Sequence, residues 1–319
     1  MAHRHLTILG NDQPTVQLSL AAVRRGIAVR CLYPEVRHSG WLIGQALRRL
    51  LLRLMADSPA SRRSSGISGG GMPLLRALLR RALADEVLDQ RAQLTAAGVT
   101  VMFSEAAFRR ASQLSVYSSQ RTQPATLDFS CCVITSGVRH LLPDSDRDRS
   151  VFDTERLFEQ AHQPSELCVL GSDEVALGVA ALFSLFGSRV ELTAETELPE
   201  VMAELAEHSG VTIRSESAVA PFAVPRPVPS QQTILDCRRT VGFTEHLNLP
   251  SIGVETDDTG RLWCSNRLET WCQNVFGAGA VVGFTAAGFT GTSAQTETIL
   301  QQVAVAELSR AGRSQRVSG

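Results

Sequence analysis

The sequence predicts an α/β protein built from two βαβ lobes. Two stretches carry this prediction, because each reads as an apolar strand, a glycine, a helix, a second glycine and another strand. The first stretch covers residues 5–33 and the second covers 166–193. Strands that alternate with helices in this way are typical of a parallel sheet covered by helices.

Further elements fit the same fold class. Apolar residues recur at helical spacing over 41–55, 74–94 and 296–308, which predicts three more helices. Short apolar runs predict strands near 98–103, 114–117, 130–135, 233–235, 261–264 and 275–279. The Ser- and Gly-rich range 57–73 and the Pro-rich range 221–229 indicate loops.

The chain of 319 residues has 31 basic side chains, and every one of them is arginine. This composition excludes chemistry that needs an ε-amine, such as a Schiff base or a phosphate-binding P-loop lysine. Arginine cannot replace that amine, because its guanidinium stays protonated. The length suggests two domains.

The charge is unevenly divided along the chain. Residues 1–150 hold 20 Arg and 11 acidic residues, a net charge of +9, and residues 151–319 hold 11 Arg and 21 acidic residues, a net charge of −10. A basic half is compatible with an anionic partner such as an acidic protein surface, and equally with two lobes that attract each other. Only 5% of the residues are aromatic, so no nucleic-acid partner is expected.

The cysteines point to a reducing compartment. The seven cysteines form no Cys-x-x-Cys pair and no Cys/His cluster, which predicts buried thiols in a cytoplasmic protein and no metal site. The first ten residues contain no long apolar stretch, and the apolar runs elsewhere are only as long as strands. Neither a secretion signal nor a membrane partner is therefore expected.

Four runs carry a family resemblance. They are 132–139 (CVITSGVR), 151–154 (VFDT), 248–270 and 275–284 (VFGAGAVVGF). Together they resemble the flavoprotein disulfide reductases, that is, the pyridine nucleotide-disulfide oxidoreductase family, and most of all its soluble transhydrogenase branch. The resemblance extends over essentially the whole chain and ends where the family's C-terminal dimerisation domain would begin. The catalytic His–Glu pair of that domain is therefore not expected here.

The resemblance implies two Rossmann-like domains, the first of them discontinuous. It assigns an FAD-binding-type domain to 1–148 with 245–319, and an NAD(P)-binding-type domain to 149–244. It implies dinucleotide ligands, FAD and NAD(P), and hydride transfer between NADPH and NAD through FAD. It carries cofactor contacts to Gly10, Glu35, Gln45, Gly137, Gly171, Gly277 and Gly279, and carries over no catalytic residue.

Several positions depart from the family pattern where a ligand would be contacted. Asp12 and Asp173 stand where the fingerprint Gly-x-Gly-x-x-Gly has its second glycine, which puts a carboxylate beside a diphosphate. Ala280 stands where the flavin motif has Asp, and the range 36–48 contains no cysteine. We therefore predict a retained fold with weakened or lost oxidoreductase activity, a pseudoenzyme. The alternative is a cofactor-free binding or regulatory protein on the same fold.

Overall fold

The computed structural model describes residues 5–35, 37–56, 71–120, 122–142, 150–215, 233–285 and 291–317. The predicted Pro-rich loop at 221–229 lies outside these ranges, as does all but the end of the predicted loop at 57–73. No helix in the described ranges is long and apolar enough to cross a membrane.

The described chain alternates strands and helices. The helices are α1 Gln13–Arg24, α2 Gly40–Ala56, α3 Gly71–Ala96, α4 Thr154–Glu159, α5 Glu174–Leu185, α6 Glu200–His208 and α7 Thr292–Val317. The first nine strands are β1 His5–Gly10, β2 Ala28–Tyr33, β3 Thr100–Phe103, β4 Glu105–Arg110, β5 Gln113–Tyr117, β6 Ala125–Asp128, β7 Cys131–Thr135, β8 Val138–His140 and β9 Val151–Phe152. The others are β10 Glu166–Leu170, β11 Arg189–Ala194, β12 Thr212–Ser215, β13 Thr233–Asp236, β14 Thr240–Gly242, β15 Leu262–Cys264, β16 Val275–Gly277 and β17 Val282–Thr285.

The chain divides into two compact units. Unit 1 contains residues 1–39, 88–139 and 241–319, and unit 2 contains 40–87 and 140–240. The predicted domain ranges stay a prediction, because compactness measures packing and not nucleotide binding. The helix α2, predicted to lie in the first domain, belongs to unit 2, where it contacts α5.

Unit 1 is built on a five-stranded parallel sheet with the order β16-β7-β1-β2-β3. The helix α1 joins β1 to β2 on one side, whereas β7 lies on the other side of β1. The strand order therefore reverses between β1 and β7, and ligands of open α/β sheets bind at the carboxyl ends of such strands. Gly10 and Thr135 are paired at those two ends. A three-stranded antiparallel sheet, β4-β5-β6, completes the unit together with β15 and β17.

Unit 2 repeats the plan with the sheet β12-β11-β10-β13-β9, in which each described pair is parallel. Here the order reverses between β10 and β13. The helix α5 is apolar on nearly all sides, and its residues 175–183 are buried, so other elements must cover it.

The helices α2 and α5 pack closely because glycines face each other's helix. A β-carbon built on Gly178 would lie 2.7 Å from the β-carbon of Leu47, and one built on Gly44 would lie 3.0 Å from the β-carbon of Glu174. The apolar face of α2, with Leu47, Leu50 and Leu51, belongs to the same core as α5. This packing assigns the range 40–87 to unit 2.

The predicted α/β fold class is confirmed. Both predicted βαβ units are present, and the predicted helices at 41–55 and 74–94 correspond to α2 and α3. The prediction did not include α6 or the strands β4, β6, β8, β9, β12, β14 and β17. The strands β4 and β6 are partly exposed and contain Arg, Glu or Asp, so they lack a continuous apolar run.

Candidate functional site

The turn between β1 and α1 is the first part of the candidate site. Gly10 ends β1 with a φ of 136°, a conformation that disfavours side chains. A β-carbon at this position would overlap the carbonyl oxygen of Thr135 on the neighbouring strand. The close approach of two strand ends thus requires glycine here, in a position predicted from the sequence.

Asp12, two residues further on, points into the space left by two other glycines. Its side chain is buried, with the residue 4% exposed. A β-carbon on Gly137 would lie 2.8 Å from Asp12 Cγ, and one on Gly279 would lie 2.8 Å from Asp12 Oδ2. Both glycines have positive φ, 72° and 84°. The structure therefore places two predicted site residues, Gly137 and Gly279, against the carboxyl group of Asp12, beside the turn that begins at a third, Gly10.

Hydrogen-bond donors converge on this carboxyl group. Burial raises the pKa of Asp12 to about 6, although the backbone N–H groups of Gln13 and Ala280 and the hydroxyl of Ser39 lower it by donating to the carboxylate. We call this arrangement of the three glycines and three donors the anion cradle. Amides at a helix N-terminus are the usual ligands of a phosphate group, and here the amide of Gln13 at the start of α1 faces the chain's own carboxylate.

Two neighbours close the cradle further. A β-carbon on Gly279 would lie 2.6 Å from Pro14 Cγ, so the proline ring fills the space beside this glycine. The N–H of Gly279 donates to Oε1 of Gln295 on α7 at 2.7 Å. Pro14 itself has no N–H to offer at the start of α1. The cradle consequently has fewer amides available for a ligand than an intact fingerprint would have.

Asn11 ties the turn to the loop after β2. Its side-chain amide donates to the carbonyl oxygen of Arg37 at 2.7 Å, and its Oδ1 accepts from the N–H of Ser39 at 3.0 Å. This pair of bonds fixes Ser39 where its hydroxyl meets Asp12. The described part of this loop contains no cysteine.

A small cavity adjoins Gly10. It has room for about one water molecule, and its polar lining includes Ser104, Glu105, Ser136 and His246. One side-chain atom on each of these four residues is buried without a hydrogen-bond partner. The other carboxylate oxygen of Glu105 accepts from Arg37 at 3.1 Å. A single bridging water would satisfy several of these atoms, whereas a nucleoside is far too large for the cavity.

The predicted Glu35 lies just beyond β2. Its Oε1 accepts weakly from the hydroxyl of Ser118 and the N–H of Ser119, both at 3.4 Å. Tyr33, at the end of β2, donates its buried hydroxyl to Gln90 at 2.8 Å. Glu35 is therefore held at the end of its strand by contacts within the chain.

Gly277 and Gln45 are placed differently from the other predicted residues. A β-carbon on Gly277 would lie 2.9 Å from Leu262 Cδ1, so this glycine serves strand packing in unit 1. Gln45 lies on α2 in unit 2, where its amide donates to Glu174 Oε2 at 2.9 Å. The structure thus assigns Gln45 a partner on α5 and describes it in a different unit from the cradle.

The turn between β10 and α5 in unit 2 likewise has a glycine with positive φ, followed two residues later by an aspartate. Gly171 has a φ of 146°, and a β-carbon there would lie 2.9 Å from the β-carbon of Cys237. Asp173 caps α5 by accepting from the N–H of Ala176 at 2.8 Å, and it also contacts His140 Nε2 at 2.8 Å. Burial raises the pKa of Asp173, but the hydrogen bond and charge of His140 and the helix amides outweigh it, so the pKa lies below its usual value.

An arginine binds two carboxylates at the carboxyl ends of β13 and β11 in the same sheet. Arg238 donates to both carboxylate oxygens of Asp236, at 2.9 and 2.7 Å, and to Oε1 of Glu195 at 3.1 Å. Its side chain is 6% exposed and that of Asp236 is 3% exposed. Glu195 directly follows Ala194, the end of β11, where the resemblance places the ribose-reading position, and Glu195 is bound by this arginine.

The sequence identified Asp12 and Asp173 as carboxylates at the two fingerprint turns, but it did not reveal which groups contact them. An Asp directly before a helix is a standard N-cap signal, and it could have predicted that Asp173 accepts from the amides of α5. The contacts of Asp12 with Ser39 and Ala280 join distant parts of the chain, so no local pattern reveals them. Among the described residues, no group of three or more His, Cys, Asp or Glu is arranged to hold a metal.

Comparison with known proteins shows the family. Residues 63–308 match the model of the pyridine nucleotide-disulphide oxidoreductase family. The chain is 23% identical over 235 residues to the soluble pyridine nucleotide transhydrogenase of Mycobacterium bovis, covering 66% of this chain and 50% of that protein. It is 21% identical over 312 residues to the Marinomonas protein of the same name, covering 88% of this chain and 67% of that protein. The chain thus spans half the length of the Mycobacterium relative.

Solved structures share the fold. The HOCl-induced flavoprotein disulfide reductase RclA from Escherichia coli, as its Cu(II) complex, superposes with a TM-score of 0.62 at 15% identity, over 93% of this chain and 69% of that one. LpdA from Mycobacterium tuberculosis gives a TM-score of 0.59 at 16% identity, over 94% of this chain and 72% of that one. With the family match over most of its length, this chain belongs to the pyridine nucleotide-disulphide oxidoreductase family.

Proposed function

We propose that this chain is a flavin-free member of its family that works as a cytoplasmic binding protein and not as a hydride-transfer enzyme. The observation that carries the proposal is the Asp12 carboxylate, buried among donors that a bound diphosphate would need. FAD and NAD(P) both contain a diphosphate. Two unit charges 4 Å apart repel by about 4 kcal/mol at an effective dielectric constant of about 20, so a carboxylate here strongly opposes such a ligand.

The cradle also lacks room and donors for a diphosphate. The amides of Gln13 and Ala280 and the hydroxyl of Ser39 already donate to Asp12. Pro14 fills the space beside Gly279. The adjoining cavity holds about one water, so the rest of a dinucleotide has no place there either. The residues of the cradle therefore do not fit FAD.

The thiols support the loss of disulfide chemistry. Such chemistry needs cysteines that react as thiolates, which is favoured by a lowered pKa and solvent access. All seven cysteines are buried. Burial raises the pKa of Cys31, Cys132, Cys237, Cys264 and Cys272. These thiols stay protonated at neutral pH, and their burial fits core packing in a reducing compartment.

Contacts in unit 2 support a weakened nicotinamide nucleotide site. Asp173 occupies the amides at the start of α5, and Arg238 binds Glu195, the acid nearest the expected ribose position. Gln45 stands where the resembling enzymes have a lysine, and its amide is bound to Glu174. Each of these three side chains thus has a partner within the chain.

A second candidate function is a divergent FAD/NAD(P) oxidoreductase of the transhydrogenase type. The family match favours it, and so do the three glycines of the cradle, whose backbone geometry suits close approach of a ligand. In this case FAD binding would have to move the Asp12 side chain and release the three donors that it holds.

Flavin content separates the two candidates. The full chain is purified in the presence of FAD, and its visible spectrum is compared with that of the flavoprotein RclA prepared in the same way. We expect a colourless protein, and no quenching of FAD fluorescence when FAD is added back at micromolar concentrations. A flavin band near one equivalent per chain would refute the proposal and establish the second candidate. NADPH oxidation coupled to reduction of an NAD analogue is expected to stay at the rate of the buffer.

A further inference from the structure

We propose that the aromatic face formed by Trp263 and Phe284 is a docking surface for a proline-rich segment, and that its occupant is residues 221–229 of a second copy of this chain. The proposal goes beyond the proposed function. The aromatic face is built by β15 and β17, which contain none of the residues of the anion cradle. It therefore holds whether or not the chain binds FAD.

The two rings of the aromatic face stand side by side in solvent. In the parallel pair of β15 and β17, Trp263 is the register partner of Phe284. Their ring centroids lie 5.5 Å apart, and the ring planes are tilted by 41° to each other. Trp263 is 43% exposed and Phe284 is 53% exposed, although Leu262 and Val282 on the same strands are fully buried. Large apolar side chains that are exposed together, and not singly, mark an interaction site.

The size of the aromatic face suits a proline-rich peptide. Its strands are short, because β15 has three residues and β17 has four. An amphipathic helix would need apolar anchors over several turns of a groove. A proline-rich peptide instead docks in the polyproline II conformation against a few adjacent aromatic rings, and it loses little conformational entropy on binding.

The chain itself contains a segment of this chemistry. Four of the nine residues at 221–229 are proline, and the others are Phe, Ala, Val and Arg. Pro225, Pro227 and Pro229 alternate with single residues, one of which is Arg226. Every copy of the chain thus carries both the segment and the aromatic face, so the partner is present wherever the chain is.

A carboxylate beside the aromatic face complements Arg226. A β-carbon on Gly283, the residue before Phe284, would overlap Asp257 Oδ2, so this oxygen lies against β17. The other oxygen, Oδ1, holds the turn before β15 by accepting from the N–H and the hydroxyl of Thr259, at 2.8 and 2.7 Å. No described hydrogen bond goes to Oδ2, which leaves this oxygen for a guanidinium group.

The charge around the aromatic face also has the sign that the segment needs. The range 255–261 contains three acidic residues and one Arg, a net charge of −2, and 221–229 contains one Arg and no acidic residue, a net charge of +1. Exposed ion pairs contribute little to affinity and more to the choice of partner. We therefore assign most of the binding to the two rings, and the selection of an arginine-bearing segment to Asp257.

The first measurement uses a synthetic peptide with the sequence of residues 219–230, labelled with fluorescein. The peptide is titrated with the full chain, and its fluorescence anisotropy is followed. The receiving chain carries Pro225→Ala, Pro227→Ala and Pro229→Ala, so that its own segment does not compete. We call this variant the alanine-segment chain, and we expect it to bind the peptide saturably.

Further substitutions in the alanine-segment chain locate the peptide. We expect Trp263→Ala or Phe284→Ala to weaken binding at least about tenfold, since each removes one of the two rings. Asp257→Asn should weaken it about three- to fivefold, because it keeps the turn but removes the charge. Trp271→Ala is the matched control and should bind unchanged. Trp271 is 71% exposed, but it has no ring partner in the part of the chain that the structure describes.

A mixing experiment tests whether the segment comes from a second copy. In sedimentation equilibrium over a series of concentrations, we expect the native chain to associate. The alanine-segment chain and the Trp263→Ala variant of the native chain should each remain monomeric. An equimolar mixture of these two variants should form a one-to-one pair, because each supplies the half of the contact that the other lacks.

The outcomes that overturn the proposal are clear for each measurement. The peptide could fail to bind the folded alanine-segment chain, or bind equally well after Trp263→Ala. A native chain that stays monomeric, or a mixture without pairs, would overturn the role of the second copy. A cooperative unfolding transition establishes that each variant is folded, and Phe284→Ala decides the first measurement if Trp263→Ala does not fold. A flavin-loaded native chain would refute the proposed function alone.

Discussion

The carboxyl carbon of Asp12 lies so close to Gly137 that a β-carbon on this glycine would be 2.8 Å away. The two residues are at the carboxyl ends of neighbouring parallel strands, at the point where the strand order of unit 1 reverses. In an open α/β sheet this point is the usual ligand crevice. In this chain the crevice is closed from within.

Burial of Asp12 makes stability depend on pH. Its pKa is about 6 in the folded chain against 3.8 for an exposed carboxyl group, so the folded state binds the proton more tightly. The resulting stability is present below pH 3.8 and is lost as the pH rises through 6. Two pKa units correspond to about 3 kcal/mol. We expect Asp12→Asn to remove this loss, so that it gains up to about 3 kcal/mol on the native chain between about pH 4 and pH 8.

Urea unfolding at the two pH values measures the effect. The quantity of interest is the change in the free energy of unfolding with pH, compared between the native chain and Asp12→Asn. Other titrating groups contribute equally to both chains and cancel. The same slope in both chains would mean that Asp12 is not buried as a carboxyl group.

Gly279 is expected to tolerate no side chain. Alanine there would adopt a positive φ of 84° and would also meet Pro14 Cγ at 2.6 Å. Gly26→Ala is the matched control, because Gly26 has a φ of 75° with nothing within 4 Å of a β-carbon. The backbone conformation costs both variants about 1–2 kcal/mol, and overpacking adds about 1–3 kcal/mol for Gly279→Ala alone. Equal losses of thermal stability in the two variants would contradict the tight contact.

Substitution of Arg238 shows how much the two parallel hydrogen bonds of its guanidinium group contribute to the stability of the fold. Lysine cannot make both hydrogen bonds to Asp236 at once, so we expect Arg238→Lys to destabilise the fold by about 1–3 kcal/mol. Arg238→Ala should cost about 3–5 kcal/mol, since it leaves a buried carboxylate unpaired. Arg189→Lys is the control, because its pair with Glu166 is exposed, and it should change stability by less than about 0.5 kcal/mol. If Arg238→Lys left the stability unchanged, a single positive charge would be enough to stabilise Asp236, and the two hydrogen bonds would not matter.

The fold could be predicted from the sequence because its signals are local. The second βαβ unit was predicted at 166–193, and β10, α5 and β11 lie at 166–194, since an apolar strand, a glycine, a helix and a second glycine follow one another directly. The association of α2 with α5 could not be predicted. It depends on Gly44 and Gly178, which are ordinary helix residues in the sequence and reveal their role only when the two helices meet.

The sequence predicted where the candidate site lies, but not which side chain fills it. Glycines at 10, 137 and 279 were expected to allow close approach of a ligand, and the missing side chains of Gly137 and Gly279 do leave space at one point, where the Asp12 carboxyl group lies. That Asp12 fills this point depends on Ser39 and Ala280, which lie 27 and 268 positions further along the chain. A sequence pattern can show that an acidic residue is unfavourable for binding a phosphate. Only the folded chain reveals which hydrogen-bond donors lie next to that residue.

The pKa of Asp12 is the most direct test of the claim that its carboxylate fills the cradle. The carboxyl ¹³C shifts of aspartate-labelled protein are followed by NMR between pH 3 and pH 8, and the Asp12 signal is identified by its loss in Asp12→Asn. We expect a midpoint of about 6, since burial raises the pKa of Asp12 more than the nearby donors lower it. A midpoint near the usual 3.8 would mean that the carboxylate is in water, and the cradle would then be open to a ligand.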